Sequence, residues 1–217
     1  MISCVFEARY IIVALDNYFM AYKDSTFQEA VQRLKHWRNR DESQTVMNEI
    51  IPGLFVGSLR AATDPKLMSA NRIQAIVSVI TTEVNLSRLP FVTHKLQIPL
   101  DDLPNATLGH YFGTAIRFIH ENRLENRNVL VHCLMGVSRS VSLVLAYLIT
   151  VTDLRLERAY EFVRQRRYSA SPNFGFREQL KSFYNQGREE QRKMLEKEFG
   201  SRHNELQIKD ALYLKSL

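Results

Sequence analysis

The sequence predicts an α/β fold in which helices flank a central β-sheet. Short apolar runs of strand length alternate along the chain with longer segments whose apolar residues recur at helical spacing. The chain has 217 residues, of which 45% are hydrophobic and 24% are charged, as is typical of a soluble globular protein with a sizeable core. We therefore expect one domain with additional segments, or one domain and a small second one.

Four apolar segments predict the strands. Residues 50–56 contain Pro52-Gly53 and predict two short strands joined by a turn, because this dipeptide interrupts regular structure. The other three strand segments are residues 75–80, 93–98 and 128–131. The last of them contains the continuous apolar run Val129-Leu130-Val131, which favours a central position in the sheet.

Five segments predict helices. Residues 108–124 carry apolar side chains at helical spacing behind Thr107, which we expect to cap the helix. Residues 140–150 are apolar on nearly every side and predict a buried helix. The remaining helical segments are residues 156–166, 174–186 and 188–199, the last of which Gly200 is expected to end.

The composition of the chain changes near Met47. Residues 1–46 end in a polar run typical of a linker, so we predict an N-terminal extension of unassigned role there. Residues 47–190 hold the alternating strands and helices and form the predicted main domain, and residues 191–217 form a predicted C-terminal helical tail. Position 2 is Ile rather than the Gly of a myristoylation signal, so the sequence gives no reason to expect attachment to a membrane.

The formal net charge of the chain is +6. Such a balance favours anionic partners such as phosphate esters, nucleic acid or acidic lipid, and it is equally compatible with a solvated basic surface. The two cysteines, Cys4 and Cys133, are too few and too far apart for a disulfide framework. A reducing compartment is therefore the expected setting.

The segment at residues 129–140 reads Val-Leu-Val-His-Cys-Leu-Met-Gly-Val-Ser-Arg-Ser. A buried strand is expected to end at His132, a tight loop to run from Cys133 to Arg139, and an apolar helix to begin at about Ser140. Successive N–H groups of residues 134–139 can then point inward and form a cradle for an oxyanion, which the helix dipole also favours. Gly136 allows a backbone conformation in this loop that residues with a Cβ avoid.

Two side chains give this cradle its chemistry. Arg139 follows Cys133 by six residues, so a single loop can bring its guanidinium over the bound anion. The same positive potential stabilises a thiolate, since helix N-termini and nearby cations lower the pKa of cysteine to roughly 3.5–7.5. We therefore expect Cys133 to act as a nucleophile on a phosphorus atom, although a lone cysteine is more often a small buried apolar residue. The expected substrate-binding residues are Leu134, Met135, Gly136, Val137, Ser138 and Arg139.

The pattern His-Cys-x-x-Gly-x-Ser-Arg resembles the phosphate loop of the protein tyrosine phosphatase superfamily, and its Ser-Arg-Ser resembles the dual-specificity branch. Similarity extends through Val-Leu-Ala-Tyr-Leu at 144–148 and Ser-Pro-Asn-Phe-Gly-Phe-Arg-Glu-Gln-Leu at 171–180. Over about residues 47–205 the chain is similar to the small atypical members of that branch. The resemblance implies a protein tyrosine phosphatase-like fold with a central mixed sheet, and hydrolysis of phosphotyrosine, phosphoserine and phosphothreonine through a phosphocysteine intermediate.

Thiolate attack also needs an acid that protonates the departing oxygen. Asp101 and Asp102 are both candidates, because both follow a predicted strand and precede Pro104. Counting from Ile98 as the family pattern does points to Asp102, so the resemblance makes Asp102 the general acid and leaves Asp101 as a solvated carboxylate. Asp102 would then take a proton from water during hydrolysis of the phosphocysteine.

Three further side chains have two interpretations each. Ser140 can donate to the departing thiolate, or it can cap the following helix. His132 can be a hydrogen-bonded core residue, whereas the resemblance implies that it orients the loop and influences Cys133. Asn173 resembles an Asn that braces the loop, and it is equally placed to cap a helix.

The residues around the motif bear on the substrate. None of the loop positions Leu134, Met135, Val137 and Ser138 is basic, whereas phosphoinositide phosphatases of the superfamily usually carry Lys there, so we expect a phosphoprotein with one phosphate in the cradle. The basic group Arg164, Arg166 and Arg167 would suit an acidic or multiply phosphorylated peptide at the rim of the site, or it is simply a solvated helix end.

The leading hypothesis is an active dual-specificity phosphatase. A phosphoprotein-binding module with little turnover and a phosphatase for RNA 5′ ends or lipids are the alternatives. The mechanism requires neither a metal nor another cofactor. The expected partner is a phosphoprotein, with a MAP kinase pathway component suggested by the resemblance alone; nucleic acid is not expected, and the sequence does not indicate an oligomeric state. The expected location is the cytoplasm, with the nucleus as a second one.

Overall fold

A five-stranded mixed sheet forms the centre of the computed structural model, which describes residues 45–216. Its strands are β1 (Asn48–Ile51), β2 (Leu54–Ser58), β3 (Ile73–Val79), β4 (His94–Ile98) and β5 (Asn128–Cys133). They lie in the order β1-β2-β5-β3-β4, with β1 antiparallel to β2 and all other neighbours parallel. The predicted α/β class, mixed sheet and central position of β5 are confirmed, and the predictions for residues 1–44 lie outside the described residues.

Eight helices surround this sheet within residues 45–216. They are α1 (Leu59–Ala62), α2 (Pro65–Ala70), α3 (Phe112–Leu124), α4 (Arg139–Val151), α5 (Leu156–Arg166), α6 (Phe174–Ser182), α7 (Arg188–Phe199) and α8 (Ser201–Lys215). The sequence did not predict α1 and α2. A 3₁₀ turn at Leu108–Tyr111 precedes α3, where the side chain of Thr107 makes no capping hydrogen bond, so the predicted cap is wrong. A π turn at Phe183–Gly187 joins α6 to α7, so the two predicted helices run on without a break.

The two faces of the sheet bury separate apolar clusters. Along β5, Val129 and Val131 face the larger cluster, whereas Leu130 faces the smaller one, as the alternation of a strand requires. Helix α4 lies in the larger cluster, and all of its residues are buried, which confirms the helix predicted from its apolar composition. Burial on this scale fixes the position of the N-terminus of α4 relative to the end of β5.

The two last helices pack against the same body. Helix α7 packs against α4 and contributes Leu195 to the core, and α8 packs against α3 and buries His203 and Asp210. Helix α8 and all but the first turn of α7 belong to the predicted tail at 191–217, and the boundaries proposed at 47 and 190 stay predictions. Within residues 45–216, no helix combines the length and the apolar character needed to cross a bilayer.

The register of the parallel strands places the site. Ser58 of β2 lies opposite Cys133, and Ser78 of β3 lies opposite His132. The carboxyl ends of β2, β5 and β3 therefore meet at one edge of the sheet, which is where open α/β sheets usually bind ligands.

Candidate active site

A loop between β5 and α4 forms the cradle that the sequence predicts. The carbonyl groups of the loop are held by the surrounding protein: that of Leu134 accepts a hydrogen bond from the N–H of Leu59 at 3.2 Å, and that of Val137 accepts one from Ser171 at 2.8 Å. The N–H groups of Leu134, Met135 and Val137 have no acceptor among the described residues. The loop thus offers donors to an anion next to the N-terminus of α4, whose dipole also favours negative charge.

Gly136 occupies the tightest point of the loop. Its φ of +69° lies in the left-handed region, and a Cβ at this position would collide with the carbonyl of Gly57 on the neighbouring strand. Its N–H donates to the sulfur of Cys133 at 3.2 Å. This position therefore requires glycine, and the close approach turns a backbone donor toward the nucleophilic atom.

Cys133 lies at the base of the cradle and is 1% exposed. Its sulfur is 3.3 Å from the hydroxyl oxygen of Ser140. Ser140 is the second residue of α4, and Ser138 holds the position before the helix, so the capping alternative for Ser140 does not apply. Ser140 is instead placed to donate a hydrogen bond to a thiolate.

The guanidinium of Arg139 is held by one backbone contact and keeps further donors available. Its Nη1 donates to the carbonyl of Leu100 at 2.8 Å. Its buried Nε has no hydrogen-bond partner within the described part of the chain and lies 3.7 Å from Oδ2 of Asp102. Because Arg139 begins α4 beside the cradle, this donor can reach an oxygen of a bound phosphate.

Asp102 is tied directly to the loop. Its Oδ1 accepts hydrogen bonds from the hydroxyl of Ser138 at 2.6 Å and from Nδ2 of Asn173 at 2.8 Å. Its side chain is 31% exposed, so the carboxyl group can reach a bound substrate. Asp101 is exposed, and these contacts distinguish Asp102 from it.

Asn173 combines both roles that the sequence left open. Its Oδ1 accepts a hydrogen bond from the N–H of Phe176 at 2.9 Å and caps helix α6. Its Nδ2 binds Asp102, and its backbone N–H donates to the hydroxyl of Ser138 at 3.1 Å. One residue therefore joins α6, the Asp102 loop and the cradle.

Helix α6 also holds the Asp102 loop at two points that the sequence analysis missed. Gly175 lies against the carbonyl of Pro104 so closely that a Cβ would collide with it. Further along the helix, Gln179 accepts from the N–H of Gly109 at 2.7 Å and donates to the carbonyl of Ala106 at 2.8 Å. Both residues lie in the motif at 171–180, but their partners are about 70 positions away.

His132 lies behind the nucleophile. Its Nε2 shares a hydrogen bond of 2.8 Å with the hydroxyl of Ser78, and its Nδ1 lies 3.3 Å from the carbonyl oxygen of Cys133. Burial lowers the pKa of His132 to about 4, so the imidazole is neutral at neutral pH. His132 is thus a buried, hydrogen-bonded core residue, and its contacts also hold the end of β5, where the loop begins.

Arg167 departs most clearly from expectation. The prediction that it belongs to a basic rim or a solvated helix end is wrong, because it is 1% exposed beneath the loop. Its Nε donates to the carbonyl of Gly136 at 2.6 Å, its Nη2 to that of Met135 at 3.3 Å, and its Nη1 to Oδ1 of Asn48 at 2.7 Å. Burial lowers its pKa to about 10, which leaves the guanidinium protonated at neutral pH.

The other two members of the predicted rim also bear on the charge around the site. The guanidinium of Arg166 stacks on the ring of Phe162, with 3.6 Å between the carbon Cζ and the ring centroid. Arg164 is exposed on α5.

Within residues 45–216, no cluster of His, Cys, Asp and Glu side chains has the form of a metal site.

Known proteins match the chain over the whole of this site. The family model for the dual specificity phosphatase catalytic domain matches residues 54–186. Dual specificity protein phosphatase 22 of Mus musculus is 43% identical over 154 residues, which are 71% of this chain and 82% of that protein. Dual specificity protein phosphatase 15 of Mus musculus is 36% identical over 171 residues, which are 79% and 70% of the two chains.

Solved structures of dual-specificity phosphatases are also similar to this chain. The crystal structure of DUSP15 has a TM-score of 0.68 at 35% identity and covers 72% of this chain and 98% of its own. That of human DUSP28 has a TM-score of 0.60 at 27% identity and covers 64% and 93%. The matched segment includes the cradle, Asp102 and Asn173, and it extends over more than half of the sequence. The chain therefore belongs to the dual-specificity phosphatase family, and it is a cysteine-dependent protein phosphatase of the atypical kind.

Proposed function

We propose that Cys133 is the nucleophile of this dual-specificity phosphatase and that Asp102 is its general acid and base. The observation that carries this assignment is the hydrogen bond from Ser138 to Asp102, which attaches the carboxyl group to the loop that begins at Cys133. The same bond favours Asp102 over its exposed neighbour Asp101. The N–H of Gly136, which belongs to the cradle, also donates to the sulfur of Cys133 at 3.2 Å.

In the first step, the thiolate of Cys133 attacks the phosphorus atom of a phosphorylated side chain. A sulfur–phosphorus bond forms while the bond to the Ser, Thr or Tyr oxygen breaks. Arg139 and the backbone N–H groups of the loop bind the other phosphate oxygens, whose negative charge they stabilise. Asp102 donates its proton to the departing oxygen, which then leaves as a neutral hydroxyl group.

In the second step, water hydrolyses the phosphocysteine. The carboxylate of Asp102 accepts a proton from the water molecule as its oxygen attacks phosphorus. The sulfur of Cys133 leaves as a thiolate, and the hydroxyl of Ser140, 3.3 Å away, donates a hydrogen bond that stabilises it. Inorganic phosphate is released, and the proton on Asp102 serves the next turnover.

The test measures hydrolysis of para-nitrophenyl phosphate by the wild type and by Cys133→Ser, Asp102→Ala and Asp101→Ala. We expect no measurable turnover for Cys133→Ser, because a hydroxyl group is not ionised at neutral pH. Loss of a general acid costs about 10²–10⁴-fold, so kcat of Asp102→Ala should fall in that range. Asp101→Ala is the matched control, and it should retain activity close to that of the wild type.

Several outcomes would contradict the assignment. Equal losses in the two aspartate variants would remove the distinction between them, and full activity of Cys133→Ser would exclude the nucleophile. A wild type that binds phosphopeptides without turnover would favour a binding module. Loss of activity with EDTA would contradict a mechanism in which Arg139 and backbone amides alone neutralise the phosphate.

We further propose that the substrate is a phosphoprotein of a kinase signalling pathway in the cytoplasm, with a MAP kinase pathway component as the first candidate. Support comes from the resemblance to atypical dual-specificity phosphatases and from the cradle, where no loop side chain is basic between Cys133 and Arg139. A doubly phosphorylated MAP kinase, assayed separately for phosphothreonine and phosphotyrosine, tests the partner. Absence of hydrolysis at both positions would exclude it.

A further inference from the structure

Three exposed apolar side chains stand directly beside residues of the proposed site. Leu134 follows Cys133 and is 50% exposed, Leu103 follows Asp102 and is 53% exposed, and Phe174 follows Asn173 and is 65% exposed. Each belongs to a different segment of the chain. Large exposed apolar side chains that gather at one place commonly mark a binding surface, whereas single ones need no explanation.

The hydrogen bonds of the site hold these segments together. Asp102 is bound to Ser138 of the cradle at 2.6 Å and to Asn173 at 2.8 Å, and Asn173 is bound to Ser138 at 3.1 Å. Leu103 follows Asp102, Phe174 follows Asn173, and Leu134 follows Cys133 at the start of the cradle. The backbone segments that carry these three side chains therefore meet at the cradle, and these hydrogen bonds fix them before a substrate binds.

Of the basic group expected at this rim, only Arg164 is exposed. Arg167 is buried beneath the loop with its donors directed at Gly136, Met135 and Asn48. Arg166 is partly buried against Phe162. Two of the three arginines expected to meet an acidic peptide are therefore engaged elsewhere, Arg167 with the loop backbone and Arg166 with Phe162.

We propose that Leu103, Leu134 and Phe174 form an apolar rim that selects phosphorylated protein segments with an apolar side chain next to the phosphorylated residue. The proposal rests on the proposed function of the cradle, which places the phosphate between these three side chains. The phosphate supplies most of the charge-dependent binding, and burial of a neighbouring apolar side chain against the rim supplies the preference. The neighbours of the phosphate are thus recognised by their apolar surface.

The test uses three phosphotyrosine peptides that differ only at the two positions flanking the phosphorylated residue. Both positions are Leu in the first peptide, Ser in the second and Glu in the third. A matching set contains phosphothreonine. Burial of one or two apolar side chains against a partly exposed rim predicts that kcat/KM for the Leu peptide exceeds that for the Ser peptide by roughly tenfold. The Glu peptide should be no better than the Ser peptide.

The double variant Leu103→Ala/Phe174→Ala tests the contribution of the rim to peptide preference separately from the hydrolysis of the phosphate ester. It should lose most of the preference for the Leu peptide while its kcat/KM for para-nitrophenyl phosphate, which has no flanking residues, stays within about twofold of the wild type. The control variant is Ile208→Ala/Leu212→Ala, which removes two equally exposed apolar side chains from α8 and should keep the preference. Phe174→Ala alone serves as a second variant if the double substitution disturbs Asp102.

The outcomes are separable from those of the proposed function. A wild type that hydrolyses para-nitrophenyl phosphate but treats all three peptides alike, or prefers the Glu peptide, would overturn the rim and leave the chemistry intact. A preference that survives in both rim variants would also overturn it. A wild type inactive on every substrate would instead contradict the proposed function.

Discussion

Arg167 carries a positive charge into the interior directly beneath the phosphate loop. By binding the carbonyls of Met135 and Gly136, it turns both carbonyls away from the cradle, so the peptide N–H groups can face an anion. We regard it as a positioning residue, because it contacts the loop backbone rather than a substrate. Its buried donors would each lose an acceptor if the loop moved, and such losses cost about 1–3 kcal/mol per group.

Arg167→Met should therefore weaken both the loop and the activity. We expect kcat/KM for para-nitrophenyl phosphate to fall on the order of 10²-fold, as for other misplaced catalytic groups, and inhibition by inorganic phosphate to weaken in parallel. Arg167→Lys keeps the positive charge but loses the planar guanidinium, so its kcat/KM should lie between those of the wild type and Arg167→Met. Arg164→Met, at an exposed position near the end of α5, is the control; equal effects of the 164 and 167 substitutions would contradict a specific role for Arg167.

The sequence pointed to the residues proposed to act on phosphate, and to His132 and Asn173 as their support, but it missed the roles of Arg167 and Gln179. Cys133 and Arg139 lie within one loop, and their spacing alone places them together. Arg167 lies in a basic run that looks like a solvated helix end. One signal was present, because Arg167 continues the buried stripe of α5 formed by Leu156, Ala159 and Val163 at helical spacing. Gln179 gave no comparable signal, since its partners lie far away in the sequence.

At the scale of the elements, a buried polar network joins α8 to the domain. Asp210 of α8 binds Arg123 of α3 through two oxygens at 2.7 and 2.8 Å, and both side chains are 2% exposed. His203 of α8 lies 3.0 Å from His120 of α3, which in turn shares a hydrogen bond of 3.1 Å with Tyr147 of α4. The contacts of α8 are thus specific in position, because a shifted helix would leave buried charges unpaired.

Three buried histidines make the stability of the fold sensitive to acid. Burial lowers the pKa of His120 to about 3, helped by the nearby charges of His203 and Arg123. Burial likewise lowers the pKa of His203, and that of His132 to about 4. The unfolded chain takes up these protons near pH 6.5, about the ordinary pKa of histidine, whereas the folded chain does not.

The free energy of unfolding should therefore fall as the pH drops below about 6.5 toward 4, since the unfolded state binds more protons throughout this window. Urea unfolding at pH 7.5, 6.5 and 5.5 measures the slope of the free energy of unfolding against pH. His203→Gln should make this slope smaller, whereas His110→Gln, at an exposed position, should leave it unchanged. A stability that is constant over this range, or a slope that is the same in His203→Gln, would contradict the origin proposed for it.

Short elements explain the local errors of the sequence analysis. Helices α1 and α2 have four and six residues, which is too short for helical periodicity to appear. They form because Ser58 and Asp64 cap them with side-chain hydrogen bonds. The helices α3 to α7, by contrast, are long enough for their apolar faces to predict them.

At the scale of the whole molecule, the order of the strands brings the site together. Strand β5 lies between β2 and β3, so the ends of three strands that are distant in sequence meet around Cys133. Alternating strands and helices predict the fold class, but only the resemblance to a known family implies this particular sheet. The attachment of α8 could not be predicted at all, because its anchors are polar and its helix shows no clear apolar face.

Deletion of residues 201–217 from the full chain tests whether α8 is part of the folded domain. The deletion removes Asp210, the carboxylate that pairs with Arg123 in the full chain, and loss of one partner of a buried pair costs about 3–5 kcal/mol. We expect the free energy of unfolding to fall by at least this amount, whereas kcat for para-nitrophenyl phosphate, measured well below the unfolding transition, should change little because the site lies on other elements.

Arg123→Met in the shortened chain provides the internal control. It removes the uncompensated charge, so it should recover part of the lost stability, whereas in the full chain the same substitution leaves Asp210 unpaired and should be destabilising. This reversal of sign is specific to the buried pair, because a general loss of packing would make the substitution harmful in both chains. An unfolding midpoint that is unchanged by the deletion would instead show that α8 is an appendage, and that the domain ends near residue 200, after α7.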